Sequence, residues 1–196
     1  MSLVPAFELG LWNAWIFMLY FPLHPLLFLL VDKAVGVGDI MKKMATPTYS
    51  TKTEKRISYG YFLILVLSFI YSVFLPLQLG TAWFYVGLPI YLVGLLIFMA
   101  AIVNIATTPH GEPFTKGAYH YSRHPMYLGE VLTLIGVTIA SASWVFLLLS
   151  IALMILSHLV AIPEERLCLE SYGDAYREYM NRTPRWIGIP KSEKRD

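Results

Sequence analysis

The sequence predicts an all-α integral membrane protein with five transmembrane helices, the last two forming a hairpin, and a cytoplasmic helical tail. Hydrophobic residues make up 57% of the 196 residues and charged residues only 14%, whereas a soluble domain carries about 25% charged residues. The mean hydropathy is +0.58. The apolar residues fall in runs long enough to cross a bilayer, and the basic residues lie between alternate runs. We therefore expect a single membrane domain.

The five predicted spans cover about residues 11–31, 57–76, 82–103, 125–141 and 144–162. The apolar run from Met126 to Ile162 is too long for one helix across a bilayer, and the Ser141-Ala142-Ser143 segment offers a turn that divides it. Residues 163–196 are predicted as a helical tail, interrupted at Gly173, that caps a pocket at the membrane face.

The charge distribution predicts the orientation in the membrane. Of the 15 Lys and Arg residues, six lie in the polar loop of residues 32–56, two in the loop of residues 104–125 and seven after Ile162. By the positive-inside rule, the N-terminus faces outward, and the C-terminus and the pocket face the cytoplasm. Four tryptophans fall at the outer ends of spans, as in an interfacial belt: Trp12, Trp15, Trp83 and Trp144.

Several kinds of site are disfavoured by the sequence. There is no phosphate-binding loop, no dinucleotide-binding glycine motif after a strand and no zinc-protease helix. The only cysteine, Cys168, excludes an intramolecular disulfide, and a net charge of +2 does not suggest a nucleic-acid partner. The histidines of residues 110–124 have no cysteine near them, so we expect no metal. Polar groups concentrated at one membrane face argue against a transport path.

The most informative stretch runs from Lys116 to Glu130 and contains one arginine, two histidines and three tyrosines. Pro125 suits the first position of a helix, and His124 is disfavoured in a helix because a proline follows it. The segment therefore predicts a polar loop that leads into a helix N-terminus at the membrane edge. Such an N-terminus offers free N–H groups and favours an anion such as a carboxylate.

Aromatic and acidic groups accompany this helix N-terminus. Aromatic faces suit a purine ring or a cation, and carboxylates suit ribose hydroxyls or positive charge. The adjacent Glu164 and Glu165 follow the last span on the same side of the membrane. A ligand with an adenine, a ribose, a carboxylate and a cationic centre would use all of these groups, and S-adenosylmethionine is such a ligand.

Several motifs in the second half of the chain resemble the isoprenylcysteine carboxyl methyltransferase family, in a short prokaryotic-type form. The motifs are Gly117-Ala-Tyr119, Arg123-His124-Pro125-Met126-Tyr127, Gly129-Glu130, Glu164-Glu165, Tyr172-Gly173-x-x-Tyr176-x-x-Tyr179 and Thr183-Pro184-Arg185. The central R-H-P-x-Y core also occurs in phospholipid N-methyltransferases and, in similar form, in membrane sterol reductases. The acidic pair and the tyrosine motif favour a methyltransferase.

The resemblance implies which residues form the site. Those that would contact the cofactor are Asn104, Pro113, Phe114, Tyr119, His124, Pro125, Met126, Tyr127, Glu164 and Glu165. An arginine that binds the substrate carboxylate in eukaryotic members is replaced by Val160 here, which leaves Arg166 and Arg123 as the nearest basic groups. Glu130, five residues into its span, and Arg166 are the candidate catalytic residues.

The expected activity is transfer of a methyl group from S-adenosylmethionine to a carboxylate of a lipidated or apolar acceptor, such as a prenylated one, that arrives from the bilayer. A carboxylate is ionised at pH 7 and needs no general base. Phospholipid N-methylation is the first alternative, and an amine acceptor would need a base such as Glu130 or Glu165. An NADPH-dependent membrane reductase is the second, with Arg123 and Lys116 available for the 2′-phosphate.

Overall fold

The structure is a computed structural model that describes residues 7–37, 40–43 and 51–190. These residues form helices and no strand, which confirms the predicted all-α fold. The polar loop of residues 32–56 and the end of the tail lie partly outside the described residues. The helices are α1 (Trp15–Met18), α2 (Tyr20–Val35), α3 (Ile40–Lys43), α4 (Lys52–Val73), α5 (Ala82–Thr107), α6 (Ala118–Tyr121), α7 (Pro125–Ser141), α8 (Trp144–Tyr172) and α9 (Asp174–Arg182).

Three helical segments of the described chain are long and apolar enough to cross a membrane: Trp15–Val35, Ala82–Thr107 and Trp144–Tyr172. Pro125–Ser141 is a shorter apolar helix. The chain is therefore an all-α integral membrane protein, and the number of five spans stays a prediction. The first segment consists of α1 and α2, which follow each other with only Leu19 between them.

Helix α4 begins before the predicted span because its first turn carries a capping box. The hydroxyl of Thr51 accepts a hydrogen bond from the backbone N–H of Glu54 at 3.2 Å, and the Glu54 carboxylate accepts one from the backbone N–H of Thr51 at 3.2 Å. Two otherwise unpaired donors of the helix start are thereby satisfied. The helix ends at Val73, before Pro76.

Helix α8 does not end at the predicted boundary of residue 162. It continues through Pro163 and ends at Tyr172, where Gly173 adopts a φ of +55° that favours glycine. A proline inside a helix removes one backbone hydrogen bond. Here the next residues, Glu164 and Glu165, contact α7, and these tertiary contacts outweigh the local preference. The acidic pair therefore lies on the same continuous helix as the last apolar run.

Helices α5 and α7 approach each other closely along glycines. A Cβ atom on Gly94 would lie 2.8 Å from the carbonyl oxygen of Gly129, and a Cβ on Gly129 would lie 2.8 Å from the backbone nitrogen of Phe98. A second pair of glycines on the same two helices, Gly87 and Gly136, shows the same crowding. Small residues allow this close packing between membrane helices. The contact fixes the position of α7 and therefore of its N-terminus, where the candidate site lies.

Candidate active site

A cavity of about 490 Å³ lies at the end of the bundle where α7 begins. Helices α5 to α9 contribute to its wall. Seven of the predicted site residues line it: Phe114, Tyr119, His124, Met126, Tyr127, Glu130 and Glu164. The cavity therefore brings together residues from the central stretch and from the acidic pair, which lie more than thirty residues apart in the sequence.

The loop that leads to α7 is held by polar contacts. Gly117 adopts a φ of +59°, and the Asn104 carboxamide packs against it, so a Cβ atom there would collide. The same carboxamide oxygen accepts a hydrogen bond from the backbone N–H of Ala118 at 2.8 Å. The Tyr179 hydroxyl donates to the carbonyl oxygen of Tyr119 at 2.6 Å. These contacts hold the Tyr119 ring in the cavity wall. Asn104 itself supports the loop and is not part of the lining.

The N-terminus of α7 opens onto the cavity. His124 precedes the helix with φ −130° and ψ 58°, Pro125 is the first helical residue, and the His124 carbonyl accepts the N–H of Leu128 at 3.1 Å. Proline has no N–H, and the first N–H groups of a helix have no acceptor within it, so the backbone N–H of Met126 is directed out of the helix start. Met126 and Tyr127 both line the cavity. The helix start therefore provides a backbone donor and the positive end of the helix dipole.

Glu165 holds His124 from behind the cavity wall. The residue is buried, with 3% of its surface exposed, and its Oε1 lies 3.1 Å from His124 Nε2. Arg185 donates to both carboxylate oxygens, with Nε 3.0 Å from Oε1 and Nη2 2.6 Å from Oε2. The Nε of Arg123 lies 3.0 Å from the same Oε1, but the angle does not make a hydrogen bond. Glu165 is thus a positioning residue outside the lining.

Glu164 lies on the cavity side of the same helix. The Tyr127 hydroxyl donates to Glu164 Oε1 at 2.5 Å, and His124 Nδ1 lies 3.7 Å from Oε2. The rings of His124 and Tyr127 stack at a centroid distance of 5.7 Å with an interplanar angle of 17°. The carboxylate of Glu164 therefore adjoins both the histidine ring and the helix N-terminus.

Glu130 is the second carboxylate of the lining and lies deeper in α7. The Tyr61 hydroxyl of α4 donates to Glu130 Oε2. The ring of Tyr61 meets the ring of Tyr127 edge to face, with centroids 5.4 Å apart. Each carboxylate of the cavity is thus bonded to one tyrosine, and the two tyrosines touch. The sequence pattern did not indicate Tyr61, because it lies on another helix, 69 residues from Glu130.

The remaining wall is largely aromatic. Phe114 and Tyr119 have ring centroids 5.6 Å apart, and so have Tyr176 and Tyr179. Burial raises the pKa of the Tyr119, Tyr176 and Tyr179 hydroxyls, so these groups stay neutral at pH 7. The tyrosine motif of α9 was part of the sequence pattern, but its contribution to the wall depends on how the tail folds back.

Other predicted residues lie outside the lining. Arg166 is 41% exposed and pairs with Glu54 at 2.9 Å, and Pro113, Pro125 and Glu165 do not line the cavity either. Lining residues that the sequence pattern did not assign to a site are Lys43, Ile105, Arg123, Leu167, Cys168, Ser171, Tyr172, Tyr176 and Tyr179.

Lys43 contributes a cation that is already engaged. Its Nζ donates to the carbonyl oxygens of Ile105, Ala106 and Thr108 at 3.3, 3.2 and 2.6 Å. These carbonyls belong to the end of α5, so the lysine caps that helix and balances the negative end of its dipole. In the described part of the chain, no group of three or more His, Cys, Asp and Glu side chains is placed to hold a metal ion.

Comparison with known families adds one finding. The family model described as phospholipid methyltransferase matches residues 105–175. No curated protein matches the chain. The matched segment contains the whole of α6, α7 and α8, and thus most of the cavity wall. This family and the isoprenylcysteine carboxyl methyltransferases belong to one superfamily of membrane methyltransferases. The match therefore supports a membrane methyltransferase.

Proposed function

We propose that this protein is an S-adenosylmethionine-dependent membrane methyltransferase whose methyl acceptor is an amine on a lipid. The observation that carries the proposal is the cavity at the start of α7, in which a helix N-terminus, an aromatic wall and two carboxylates converge. The match of residues 105–175 to phospholipid methyltransferases supports the same reaction class.

The residues present suit the methyl donor. The N–H groups at the start of α7 suit its carboxylate, the rings of Phe114 and Tyr119 suit its adenine, and Glu164 suits its amino or ribose donors. The ring of His124, which Glu165 holds in position, contributes a nitrogen atom beside the start of α7. When bound, S-adenosylmethionine supplies an electrophilic methyl group on a sulfonium. The protein residues then have to orient both reactants, and orientation alone supplies roughly 7–11 kcal/mol in favourable cases.

The lining of the cavity is acidic, which favours an amine over a carboxylate as the methyl acceptor. Glu130 and Glu164 both line the cavity, and neither is neutralised by a direct ion pair with Lys or Arg among the described contacts. The two cations of the lining are engaged elsewhere, since Lys43 binds carbonyls and Arg123 lies against Glu165. An ammonium group gains from nearby carboxylates and aromatic rings, whereas a carboxylate acceptor would be repelled.

An amine acceptor must lose a proton, and the cavity contains groups that can take it. Glu130 lies deeper in α7 than the helix N-terminus, on the side that we assign to the acceptor, and the Tyr61 hydroxyl holds one of its oxygens. A carboxylate oxygen can accept a proton from an ammonium group. The hydrogen bond from Tyr61 orients the carboxylate for this role. Glu130 is therefore our candidate for the general base.

Methylation of a carboxylate on a lipidated or prenylated acceptor is the second candidate, and the motifs shared with the isoprenylcysteine carboxyl methyltransferases favour it. In that case the reaction needs no general base, but the site needs a cation to bind the carboxylate of the acceptor. The position of the family arginine is Val160, which is 3% exposed. Arg166 is paired with Glu54 outside the lining. Arg123 is then the remaining guanidinium at the wall.

Two measurements test the proposal. Calorimetric titration of the protein in lipid nanodiscs should show binding of S-adenosylhomocysteine and none of NADPH, and the opposite result would indicate a reductase. Transfer of a labelled methyl group should then be followed with phosphatidylethanolamine and with a prenylated cysteine as acceptors. Product from the phospholipid alone is expected. Product from the prenylated cysteine alone would replace the amine by a carboxylate acceptor.

A further inference from the structure

The segment after α9 makes contacts in two directions. Its backbone pairs with the loop before α7, where the N–H of Arg123 donates to the carbonyl of Pro184 at 3.0 Å and the N–H of Gly188 donates to the carbonyl of Tyr121 at 3.2 Å. The Ser122 hydroxyl donates to the carbonyl of Arg185 at 3.2 Å. The segment is therefore fixed against the cavity wall although it has no helix or strand of its own.

The neighbouring residues Arg185 and Trp186 have different partners. Arg185 extends inward to the buried Glu165. The half-buried ring of Trp186 lies between His124, with ring centroids 6.1 Å apart, and His158, to whose Nδ1 its indole Nε1 donates at 3.3 Å. His158 precedes Glu165 by seven residues, or about 10 Å along the helix. Trp186 thus contacts α8 on the membrane side of the acidic pair.

The part of α8 that Trp186 contacts faces outward and is apolar. His158 shares an exposed stripe with Ile155, Leu159 and Ile162, which have 54%, 37% and 46% exposure. These residues are spaced three or four apart and lie on one helix face. They belong to a helix that is long and apolar enough to cross a membrane. The face beside Trp186 is therefore a face that lipid covers.

The tail adds its own exposed apolar side chains directly after Trp186. Ile187 is 72% exposed and Ile189 is 92% exposed. Two nearly uncovered isoleucines beside a tryptophan would be unfavourable in water. A tryptophan ring, with one polar N–H on an apolar body, is typical of the boundary between headgroups and acyl chains. The Trp186–His158 contact links this segment to the exposed stripe of α8.

We propose that residues 186–189 form a lipid-binding anchor that inserts into the membrane interface at the end of the bundle that carries the cavity. The occupant of this surface is the lipid bilayer itself. The Trp186–His158 hydrogen bond sets the depth, because it ties the anchor to a residue about 6 Å from the predicted end of the span at Ile162. The inference does not depend on the reaction that the cavity catalyses.

The anchor has a consequence for the cavity wall. Arg185, which clamps Glu165, is the residue directly before the anchor, and Pro184 pairs with the loop before α7. Lipid contact at Trp186, Ile187 and Ile189 therefore restrains the segment that carries this guanidinium. The residues that hold His124 in place and the residues that touch lipid are consecutive in the chain.

The test uses single cysteines labelled with an environment-sensitive fluorophore. Ile189→Cys and Ile187→Cys are the anchor variants, and Asn181→Cys on the exposed surface of α9 is the matched control. All three carry Cys168→Ala, so that only the introduced thiol reacts. The proteins are reconstituted in phosphatidylcholine vesicles that contain lipids with a nitroxide quencher near the headgroup end of an acyl chain.

We expect blue-shifted emission and strong loss of fluorescence for the labels at both isoleucine positions, and water-like, weakly quenched emission for the label at Asn181. Two isoleucine positions are used so that a local perturbation at one of them does not decide the result. Equal quenching at all three positions, or water-like emission at both isoleucine positions, would overturn the proposal. Emission that is blue-shifted yet unaffected by the nitroxide lipids would indicate a protein partner and would also overturn it.

Discussion

Arg185 and Glu165 form a two-point ion pair between the tail and α8, with contacts of 3.0 and 2.6 Å. The side chain of Glu165 is 4% exposed, and that of Arg185 is 29% exposed. The hydrogen bond to Glu165 raises the pKa of Arg185, so the guanidinium is charged at pH 7. Because Glu165 also contacts His124, the pair links the end of the chain to the start of α7.

Replacement of Arg185 should therefore destabilise the protein. Arg185→Ala leaves a buried carboxylate with only Arg123 and His124 beside it. Hydrogen bonds to charged groups contribute about 1.5–3 kcal/mol, and the partial exposure of Arg185 and the two remaining partners favour the lower half of that range. Thermal unfolding in detergent, followed by circular dichroism, measures the change.

Arg177→Ala is the matched control for this substitution. Arg177 lies on α9, its side chain is 71% exposed, and its partner Asp174 is 3.7 Å away at the surface. Exposed pairs contribute little to stability, so the midpoint of unfolding should hardly move. A loss as large as that of Arg185→Ala would show that any charge removed from the tail has this effect.

The pattern of apolar runs predicts the helical membrane fold because the bilayer imposes it. A span of the required length must satisfy its own backbone hydrogen bonds, so an apolar run becomes a helix whatever its neighbours are. The turn near Ser141 and the break at Gly173 depend on local residues and are equally visible in the sequence. The continuation of α8 past Pro163 is not, since it results from contacts of Glu164 and Glu165 with another helix.

The site shows the same division between local and tertiary information. His124, Pro125 and Tyr127 are neighbours in the chain, and the proline rule places them at a helix start. Tyr61 carries no local signal, because its relation to Glu130 arises only when α4 packs beside α7. Arg185 belongs to a motif in the sequence, but its role as the partner of Glu165 follows from the return of the tail to the cavity wall.

The crossing of α5 and α7 predicts a second effect on stability. In Gly94→Ala the added methyl group would lie 2.6 Å from the backbone nitrogen of Thr133 and 2.8 Å from the carbonyl oxygen of Gly129. Backbone atoms cannot move aside as a flexible side chain does, so the two helices must separate. Overpacking of this kind costs about 1–3 kcal/mol. The free energy of unfolding in mild detergent is the quantity to measure.

Gly60→Ala provides the opposite control in α4. A Cβ atom there would meet only the Leu156 methyl groups, at 3.8 and 3.9 Å, which is ordinary contact. Alanine is favoured over glycine inside a helix by roughly 0.5–1 kcal/mol, so this variant should be as stable as the original protein or more so. If both alanine variants are equally stable, the close approach of α5 and α7 is not a stabilising feature.

The orientation in the membrane can be tested by cysteine labelling in whole cells. Leu79→Cys lies between α4 and α5 and is 45% exposed, and Asn181→Cys lies on the exposed surface of α9. Since all Lys and Arg residues lie on alternate loops, the two positions should be on opposite sides of the membrane. A membrane-impermeant maleimide should label Leu79→Cys alone. Labelling of both positions from outside would contradict the five-span topology.

The two carboxylates of the cavity should have different roles, although both line it. Glu164 adjoins His124 at the N-terminus of α7, where the cofactor is proposed to bind. Glu164→Gln replaces a charged acceptor of hydrogen bonds by a neutral amide. We expect the affinity for S-adenosylhomocysteine to fall by about 1–3 kcal/mol, or roughly 5- to 150-fold in Kd. Isothermal titration of the reconstituted protein measures this loss.

Glu130 lies deeper in α7 and is bonded to Tyr61, so its substitution should affect the methyl acceptor and leave the cofactor. Glu130→Gln keeps the shape of the side chain and removes its capacity to take a proton. We expect nearly unchanged affinity for S-adenosylhomocysteine, together with a loss of single-turnover methyl transfer of about 100- to 10,000-fold if Glu130 is the base. Tyr61→Phe, which retains the ring contact with Tyr127, should lower turnover by a smaller factor.

The control is Glu178→Gln. Glu178 is an exposed carboxylate of α9 with 64% side-chain exposure, and its substitution should change neither the cofactor affinity nor the turnover. Loss of cofactor binding in Glu130→Gln, with Glu164→Gln unaffected, would reverse the assignment of the two ends of the cavity, and full turnover in Glu130→Gln would show that Glu130 is only a structural group.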